Sequence, residues 1–160
     1  MDVTEASQVT IASEPVDSND AQYCLRQYYL ELEERFEEGF EPNLSLSPSL
    51  EDFAPPRGVF LLARRSGEPV GCGGFKPISA EAAYLKRMWI SRQARGLGIG
   101  KRLLLELETR AFGIGYSIMC LETNKALHEA QKLYRAAGYV EVAPFNSEPY
   151  AHHWYQKRLV

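Results

Sequence analysis

The sequence predicts an α/β fold of the α+β kind: one mixed sheet, with an antiparallel meander at its centre and helices on both faces. Three observations lead there. Residues 59–90 hold three short apolar runs separated by turn residues, the pattern of an antiparallel meander. A glycine-rich turn, RQARGLGIGKRLLL over residues 92–105, then runs straight into helical apolar spacing. Beyond it, strand and helix patterns alternate up to two final strands, which is how a sheet with helices packed on it reads in sequence.

Taken in order, Gln8–Ile11 can form a first strand. Asp17, Ser18 or Asn19 can cap a helix reaching about Glu38, because Leu25, Tyr28, Leu32 and Phe36 recur at helical spacing, and Gly39 ends it. Residues 40–57 carry Pro42, Pro48, Pro55 and Pro56 and read as a loop with one short helix around Ser49–Phe53; a loop this long in a compact domain is often functional. Val59–Arg64, Val70–Phe75 and Ala83–Ile90 are the meander strands, joined by turns at Ser66–Glu68 and near Ser79–Ala80, the middle strand loosened by Gly71, Gly73 and Gly74. A helix from about Gly98 to Phe112 turns Leu103, Leu104 and Leu107 inward. Ser117–Glu122 is a strand. Asn124 caps a helix to Ala137, closed by Gly138 in a left-handed conformation. Tyr139–Ala143 and His153–Leu159 complete the sheet.

The 160 residues are expected to form a single domain with a full core. A hydrophobic fraction of 45% and an aromatic fraction of 11% belong to a globular chain. No apolar run is long enough to span a membrane, and the acidic start MDVTEASQVT does not read as a secretory signal. Cys24, Cys72 and Cys120 are odd in number and form no CxxC, so free thiols in a reducing cytoplasm are expected and a metal site is not. The net charge of −3 is unevenly spread: residues 1–52 hold 13 Asp and Glu against 2 Lys and Arg, and residues 53–160 hold 8 against 16. Most of these charges read as solvated surface, with a sharper alternative: a basic cofactor site facing an acidic wall for a cationic substrate. Nucleic acid is not an expected partner, since no basic stripe is interleaved with aromatics.

Arg92, Arg95, Lys101 and Arg102 flank Gly96, Gly98 and Gly100 at a helix start, where bare backbone N–H groups and the positive end of the helix dipole suit a phosphate. A nucleotide P-loop would need glycine at 95 and Ser or Thr at 102, and both positions are Arg. The dinucleotide fingerprint starting at Gly96 would need glycine at 101, which is Lys. An S-adenosylmethionine site tolerates GxGxG, but a cationic cofactor gains nothing from four basic neighbours; it stays as a distant alternative.

Arg95-x-x-Gly98-x-Gly100 between a strand and a helix resembles the acetyl-CoA motif of the GNAT superfamily of N-acetyltransferases. LKRMWISRQARGLGIGKRLL is similar to that family's fourth strand, pyrophosphate loop and third helix. SIMCLETN with AQKLYRAAGY is similar to its fifth strand and the helix carrying an LY-x-x-x-G-[FY] signature, and GEPVGCGGF to its third strand. The likeness is strongest over residues 59–139. It implies a fold in which the fourth and fifth strands splay and the pantetheine arm of acetyl-CoA lies between them, held by backbone of Met88, Trp89 and Ile90, one N–H polarising the thioester carbonyl. It implies that backbone N–H groups of Arg95, Gly96, Leu97, Gly98, Ile99, Gly100 and Lys101 cradle the pyrophosphate, that Arg92 or Arg102 reaches a phosphate, and that Asn124 bonds the CoA arm, although helix capping alone would account for Asn124.

The resemblance also implies that Tyr134 is the general acid; by residue pattern alone it would be a core tyrosine beside Ala130, Leu133 and Ala137. Relatives carry Glu where this chain has Tyr84, so Glu122, Glu81 or an ordered water is left as the base. Cys120 allows an acetyl-cysteine route, and direct attack in a ternary complex is the preferred one. His152 and His153 are adjacent and point to opposite faces of a strand, which does not suit a shared metal. The acceptor is a small-molecule or peptide amine: Glu37, Glu38, Glu41, Glu51 and Asp52 hint at a cationic one, and aromatics in 145–155 can line its pocket. A homodimer is common among such proteins. The competing reading from another class is a non-catalytic acyl-CoA-binding module.

Overall fold

The computed structural model describes residues 8–45 and 50–160. Its elements are β1 (Val9–Ser13), α1 (Asn19–Arg35), β2 (Val59–Arg65), β3 (Glu68–Pro77), β4 (Ala82–Ile90), α2 (Ile99–Ile114), β5 (Ile118–Thr123), α3 (His128–Ala136), β6 (Val140–Val142) and β7 (His153–Arg158). They form one seven-stranded sheet in the order β1-β2-β3-β4-β5-β7-β6. Strands β1 to β4 pair antiparallel, as do β5 with β7 and β7 with β6. The contact of β4 with β5 is parallel.

Strand β2 explains the layering. Its first five residues are all buried because both faces of the sheet are covered. Phe60 and Leu62 point towards α1 and pack with Ala21, Cys24, Leu25 and Trp89. Val59 and Leu61 point the other way, against Leu103, Leu104, Leu107 and Ala111 of α2. Tyr134 of α3 and Tyr155 of β7 continue this second cluster. Across it, Glu108 of α2 accepts from Tyr139 at 2.8 Å and pairs with Lys157 at 2.9 Å, tying α2 to the last strand.

Ser18 is the residue that caps α1, its hydroxyl accepting from the N–H of Ala21 at 3.1 Å. The helix stops at Arg35, earlier than the expected Glu38, because Phe36 turns extended and packs its ring against Phe40 and Tyr150; Gly39, at φ +74°, lies in the loop beyond. The expected helix over 49–53 is not formed: residues 46–49 lie outside the described residues, and 50–53 are turns whose Phe53 anchors in the α1 layer. A single helical turn at Pro42–Leu44 occurs instead. Helix α3 begins at His128, a turn later than expected, since Asn124 closes a local turn by accepting from the N–H of Ala126. Gly138 does take the left-handed conformation, at φ +97°.

The glycines of β3 do not loosen it; the strand runs ten residues. They make room. A Cβ on Gly74 would lie 2.7 Å from the Val59 carbonyl oxygen and 2.8 Å from the Phe53 ring, and one on Gly73 would lie 2.5 Å from Met88 Sδ. Opposite Gly73, β4 carries a bulge: the register shifts between Cys72 and Gly74, and Arg87 has φ +64°. Gly74→Ala should therefore cost about 2 kcal/mol through overpacking, lowering Tm by roughly 4–8 °C for a domain of this size. A calorimetric Tm within 1 °C of wild type would show that the contact is not as tight as described.

Candidate active site

Strands β4 and β5 form a fork. They pair at Ala82–Ile118, Ala83–Met119 and Tyr84–Cys120 and no further. Past Tyr84, the inner edge of β4 has no strand beside it, and its backbone groups face a cleft. The splay implied by the resemblance is present.

Two cavities open along the fork. The larger, about 360 Å3, runs between β4, the start of α2 and the side of α3. Met88, Trp89, Ile90, Arg95, Gly96, Gly98, Ile99, Gly100 and Lys101, each named from sequence as a donor residue, line it. Gly96 and Gly98 have φ of +87° and +79°, a conformation that side chains resist, and Gly98 starts α2 with no side-chain cap. The first N–H groups of the helix are thus left to a ligand. Gly100 has no heavy atom within 3.4 Å of where a Cβ would stand.

Two residues of that set sit elsewhere. Leu97 packs its side chain among Val9, Ala63 and Ile99, leaving only its backbone for the loop. Asn124 lines the second cavity, and its amide donates to the Tyr150 carbonyl at 2.8 Å while its oxygen accepts from Ala126; no side-chain group is left directed at the donor cleft.

The basic flanks are also redistributed. Arg95 gives Nε to the Ile90 carbonyl at 3.0 Å and Nη2 to both carboxylate oxygens of Glu31 at 2.7 and 2.8 Å. Arg92 pairs with Glu34 at 3.3 Å, and Arg102 turns to the Val9 carbonyl at 3.4 Å. Arg35 bridges Glu31 at 3.3 Å to Glu129 at 2.8 Å, which lowers the Glu129 pKa. Arg64 holds Glu14 and Asp20. Four acids of the N-terminal third, Glu14, Asp20, Glu31 and Glu34, are therefore paired with arginines of the remainder.

The smaller cavity, about 90 Å3, adjoins the larger one along Tyr28, Leu32, Met88 and Tyr134. Phe36 and Phe40 from α1 and its following loop, with Tyr150 from the segment before β7, build an aromatic wall with ring separations of 4.7–5.8 Å. Its charged residues are Lys86, Arg87, Glu122 and Glu148. Glu37 and Glu38 lie in a separate outer groove, Glu51 and Asp52 are exposed, and the backbone of Glu41 contacts the Tyr150 hydroxyl. The acids read from sequence as an acceptor signal do not line the cavity. Of the aromatics in 145–155, Tyr150 lines it, whereas Tyr155 is in the core.

At the head of the fork, Tyr84 donates its hydroxyl to Glu122 Oε1. Asn146 Nδ2 donates to that same oxygen and to Tyr84 Oη, both at 3.1 Å, and Trp154 Nε1 holds Asn146 Oδ1 at 2.9 Å. Lys86 Nζ donates to Tyr84 Oη at 3.3 Å. Burial, reinforced by the Glu122 charge, raises the Tyr84 pKa, and burial lowers that of Lys86. The Glu122 carboxylate thus reaches the Tyr84 hydroxyl from β5. Asn146 and Trp154 had no sequence signal, because the residues that place them span an irregular Pro-rich stretch. Glu81 is exposed at the closed end of the fork and lines neither cavity.

Tyr134 lines both cavities and is 5% exposed. Its hydroxyl has no hydrogen bond to a described residue and is not among the fully buried polar atoms left without one. Burial raises its pKa, so it is protonated at neutral pH. Cys120 lines neither cavity, and burial pushes its thiol up to about 12. His152 accepts from the Lys125 N–H and His153 pairs with Glu141; no group of three metal-binding side chains occurs among the described residues.

The model of the acetyltransferase (GNAT) family matches residues 25–139. Over 98 residues the chain is 42% identical to a protein of Azospirillum brasilense named IAA acetyltransferase, covering 60% of this chain and 63% of that protein. Over 106 residues it is 30% identical to an uncharacterized N-acetyltransferase of Schizosaccharomyces pombe, covering 65% of each. The match thus spans just under two thirds of these relatives' length. Among solved structures, a GNAT-family acetyltransferase from Staphylococcus aureus superposes with a TM-score of 0.78 at 21% identity, over 95% of this chain and 99% of that one. N-acetylglutamate synthase from Neisseria gonorrhoeae, solved with coenzyme A and N-acetyl-glutamate, does so with a TM-score of 0.71 at 20% identity, over 95% of this chain and 35% of that one. At these identities the structures show the fold. With forked strands, a glycine-started helix beside the fork and a family model matching most of the sequence, the chain belongs to the GNAT family of acetyltransferases.

Proposed function

We propose that the protein is an acetyl-CoA-dependent N-acetyltransferase, moving an acetyl group to a primary amine of a small molecule or peptide by direct attack in a ternary complex. The observation that carries this reading is the meeting of two cavities at Tyr134, one walled by the glycine-started helix and the other by aromatics and Glu122. Acetyl-CoA supplies the activated thioester. Backbone of Met88, Trp89 and Ile90 on the open edge of β4 would hold its arm, and the N–H groups from Gly96 to Lys101 its pyrophosphate, with Lys101 the basic side chain at the loop that has no ion pair among the described residues. The S-adenosylmethionine alternative is set aside by the family match.

Glu122 is the base in this reading. Its Oε1 is fixed by Tyr84 and Asn146, while Oε2 has no hydrogen bond to a described residue and is available for an amine proton, directly or through water. Tyr134 gives its proton to the departing sulfur. The inaccessible, high-pKa Cys120 speaks against an acetyl-cysteine route. The open Tyr134 hydroxyl speaks against a purely binding module, where a buried phenol is expected to be hydrogen-bonded. Among the described residues, no helix is long and apolar enough to cross a membrane.

Three measurements test the reading. Acetyl-CoA and CoA at about 100 times Kd should add ~2.7 kcal/mol and raise Tm by roughly 5–10 °C, with no shift from S-adenosylmethionine or ATP; absence of a shift with acetyl-CoA rejects the donor. In a thiol-release screen against a panel of amines, Tyr134→Phe should lower kcat by roughly 10²-fold or more at unchanged acetyl-CoA affinity, and near wild-type turnover would remove the acid role. Gly100→Ala should leave the fold as stable or gain up to ~1 kcal/mol from helix propensity, yet weaken acetyl-CoA binding, since its Cβ has space in the protein but faces the cleft; unchanged affinity would exclude close approach of the ligand there.

A further inference from the structure

Six residues line both cavities: Tyr28, Leu32, Met88, Leu127, Ala130 and Tyr134. They surround the place where donor and acceptor must meet. Four have no side-chain group that can donate a hydrogen bond. The two that do are phenols, Tyr134 from α3 and Tyr28 from α1. Like Tyr134, Tyr28 has no hydrogen bond from its hydroxyl to a described residue, and that oxygen is not sealed from the cavities.

Acyl transfer from a thioester to an amine develops negative charge at two atoms. As the new N–C bond forms, the carbonyl oxygen gains charge. As the C–S bond breaks, the sulfur does. The amine proton goes to Glu122 and the sulfur takes a proton from Tyr134, which leaves the carbonyl oxygen needing a hydrogen-bond donor and no proton transfer. Resting on the acetyltransferase reading above, we propose that Tyr28 is a further catalytic residue, whose hydroxyl donates a hydrogen bond to the carbonyl oxygen of the acetyl group from the face opposite Tyr134.

The neighbours of the two phenols differ in a way that fits this division. Arg87 opposes the burial effect on Tyr28, so the phenol that has a guanidinium nearby is the one offered to a developing oxyanion. Glu122 favours the protonated form of both phenols, and Arg87 is the neighbour that acts on Tyr28 and not on Tyr134. Tyr28 also packs tilted against Tyr29, rings 5.5 Å apart, and Tyr29 accepts from Arg87 Nε at 3.2 Å, which keeps α1 and the β4 bulge in register. The backbone N–H expected from Met88–Ile90 and the Tyr28 hydroxyl then act on one oxygen from two elements.

The test is Tyr28→Phe, which keeps the ring, alone and combined with Tyr134→Phe. It is read by thiol release from acetyl-CoA with the best amine of the screen and by the acetyl-CoA-induced Tm shift. Loss of one oxyanion donor predicts kcat down by roughly 10²-fold, with the Tm shift and the KM for acetyl-CoA unchanged. The double variant should be slower than either single variant, since the phenols serve different atoms. Tyr28→Phe within threefold of wild type overturns the proposal. So does a double variant no slower than Tyr134→Phe alone, which would mean a shared role. A wild-type protein that releases no thiol with any amine overturns the acetyltransferase reading itself, a separate outcome.

Discussion

The structure depends on the length of one parallel pairing. Strands β4 and β5 bond over three residue pairs and then part. Each is held along its outer edge, β4 by β3 and β5 by β7, so the parting costs neither strand its place in the sheet. Between them two inner edges are left facing each other without a ladder. Backbone N–H and C=O groups in such a position demand partners, and an extended ligand arm that completes the sheet is the kind of partner they accept. The meander, α2 packed beneath it and the Glu108 tie to Lys157 hold the rest firm while this gap stays open.

Charge is arranged around the gap with a second constraint. An arginine beside a phosphate-sized cleft would be expected to reach into it, yet Arg95 directs Nε to the Ile90 carbonyl and Nη2 to the Glu31 carboxylate. Exposed pairs such as Arg92–Glu34 contribute little, on the order of 0.2–1 kcal/mol. The Arg95–Glu31 pair is better shielded, with the Glu31 side chain 13% exposed, and it ties α1 to the glycine loop. In the proposed reading, phosphate recognition therefore rests on backbone N–H groups and Lys101, which is the chemistry that glycines without side chains permit. Part of the uneven spread of acids and bases along the sequence goes into pairs between distant segments, Glu14 and Asp20 with Arg64, Glu31 with Arg95 and Glu34 with Arg92.

Local signals carried far along the sequence and then stopped at identifiable points. Alternation in VFLLA, the turn at Ser66–Glu68, the left-handed Gly98 and Gly138, and the leucines of α2 are all set by neighbours a few residues away, and the elements follow them within a residue or two. The end of α1 did not, because Phe36 answers to Tyr150, a contact between residues far apart in sequence. Asn124 read equally well as a cap or a ligand, and only the position of the Tyr150 carbonyl decides. Most of the residues read as donor-binding line one cavity, since the loop that carries them is contiguous. The acceptor side is assembled from α1, the β4 bulge, β5 and the segment before β7, and no periodicity links those pieces.

The β4 bulge shows why donor and acceptor sides are not independent. In a regular strand Lys86, Arg87 and Met88 would alternate between faces. Instead all three line the smaller cavity, Met88 lining the larger as well. It goes with the left-handed backbone at Arg87, a conformation costing an arginine of order 1–3 kcal/mol, and with the absence of a Cβ at Gly73, where one would lie 2.5 Å from Met88 Sδ. The sulfur of Cys72 donates to the Arg87 carbonyl at 3.2 Å, and Tyr29 accepts from its guanidinium, so the bulge is pinned from β3 and from α1. A strained residue held from two sides, with two cations on one cavity wall and the next residue lining both cavities, couples the two sides of the proposed site through the backbone of β4. Any change of acceptor preference that works through Lys86 or Arg87 therefore acts on the junction too.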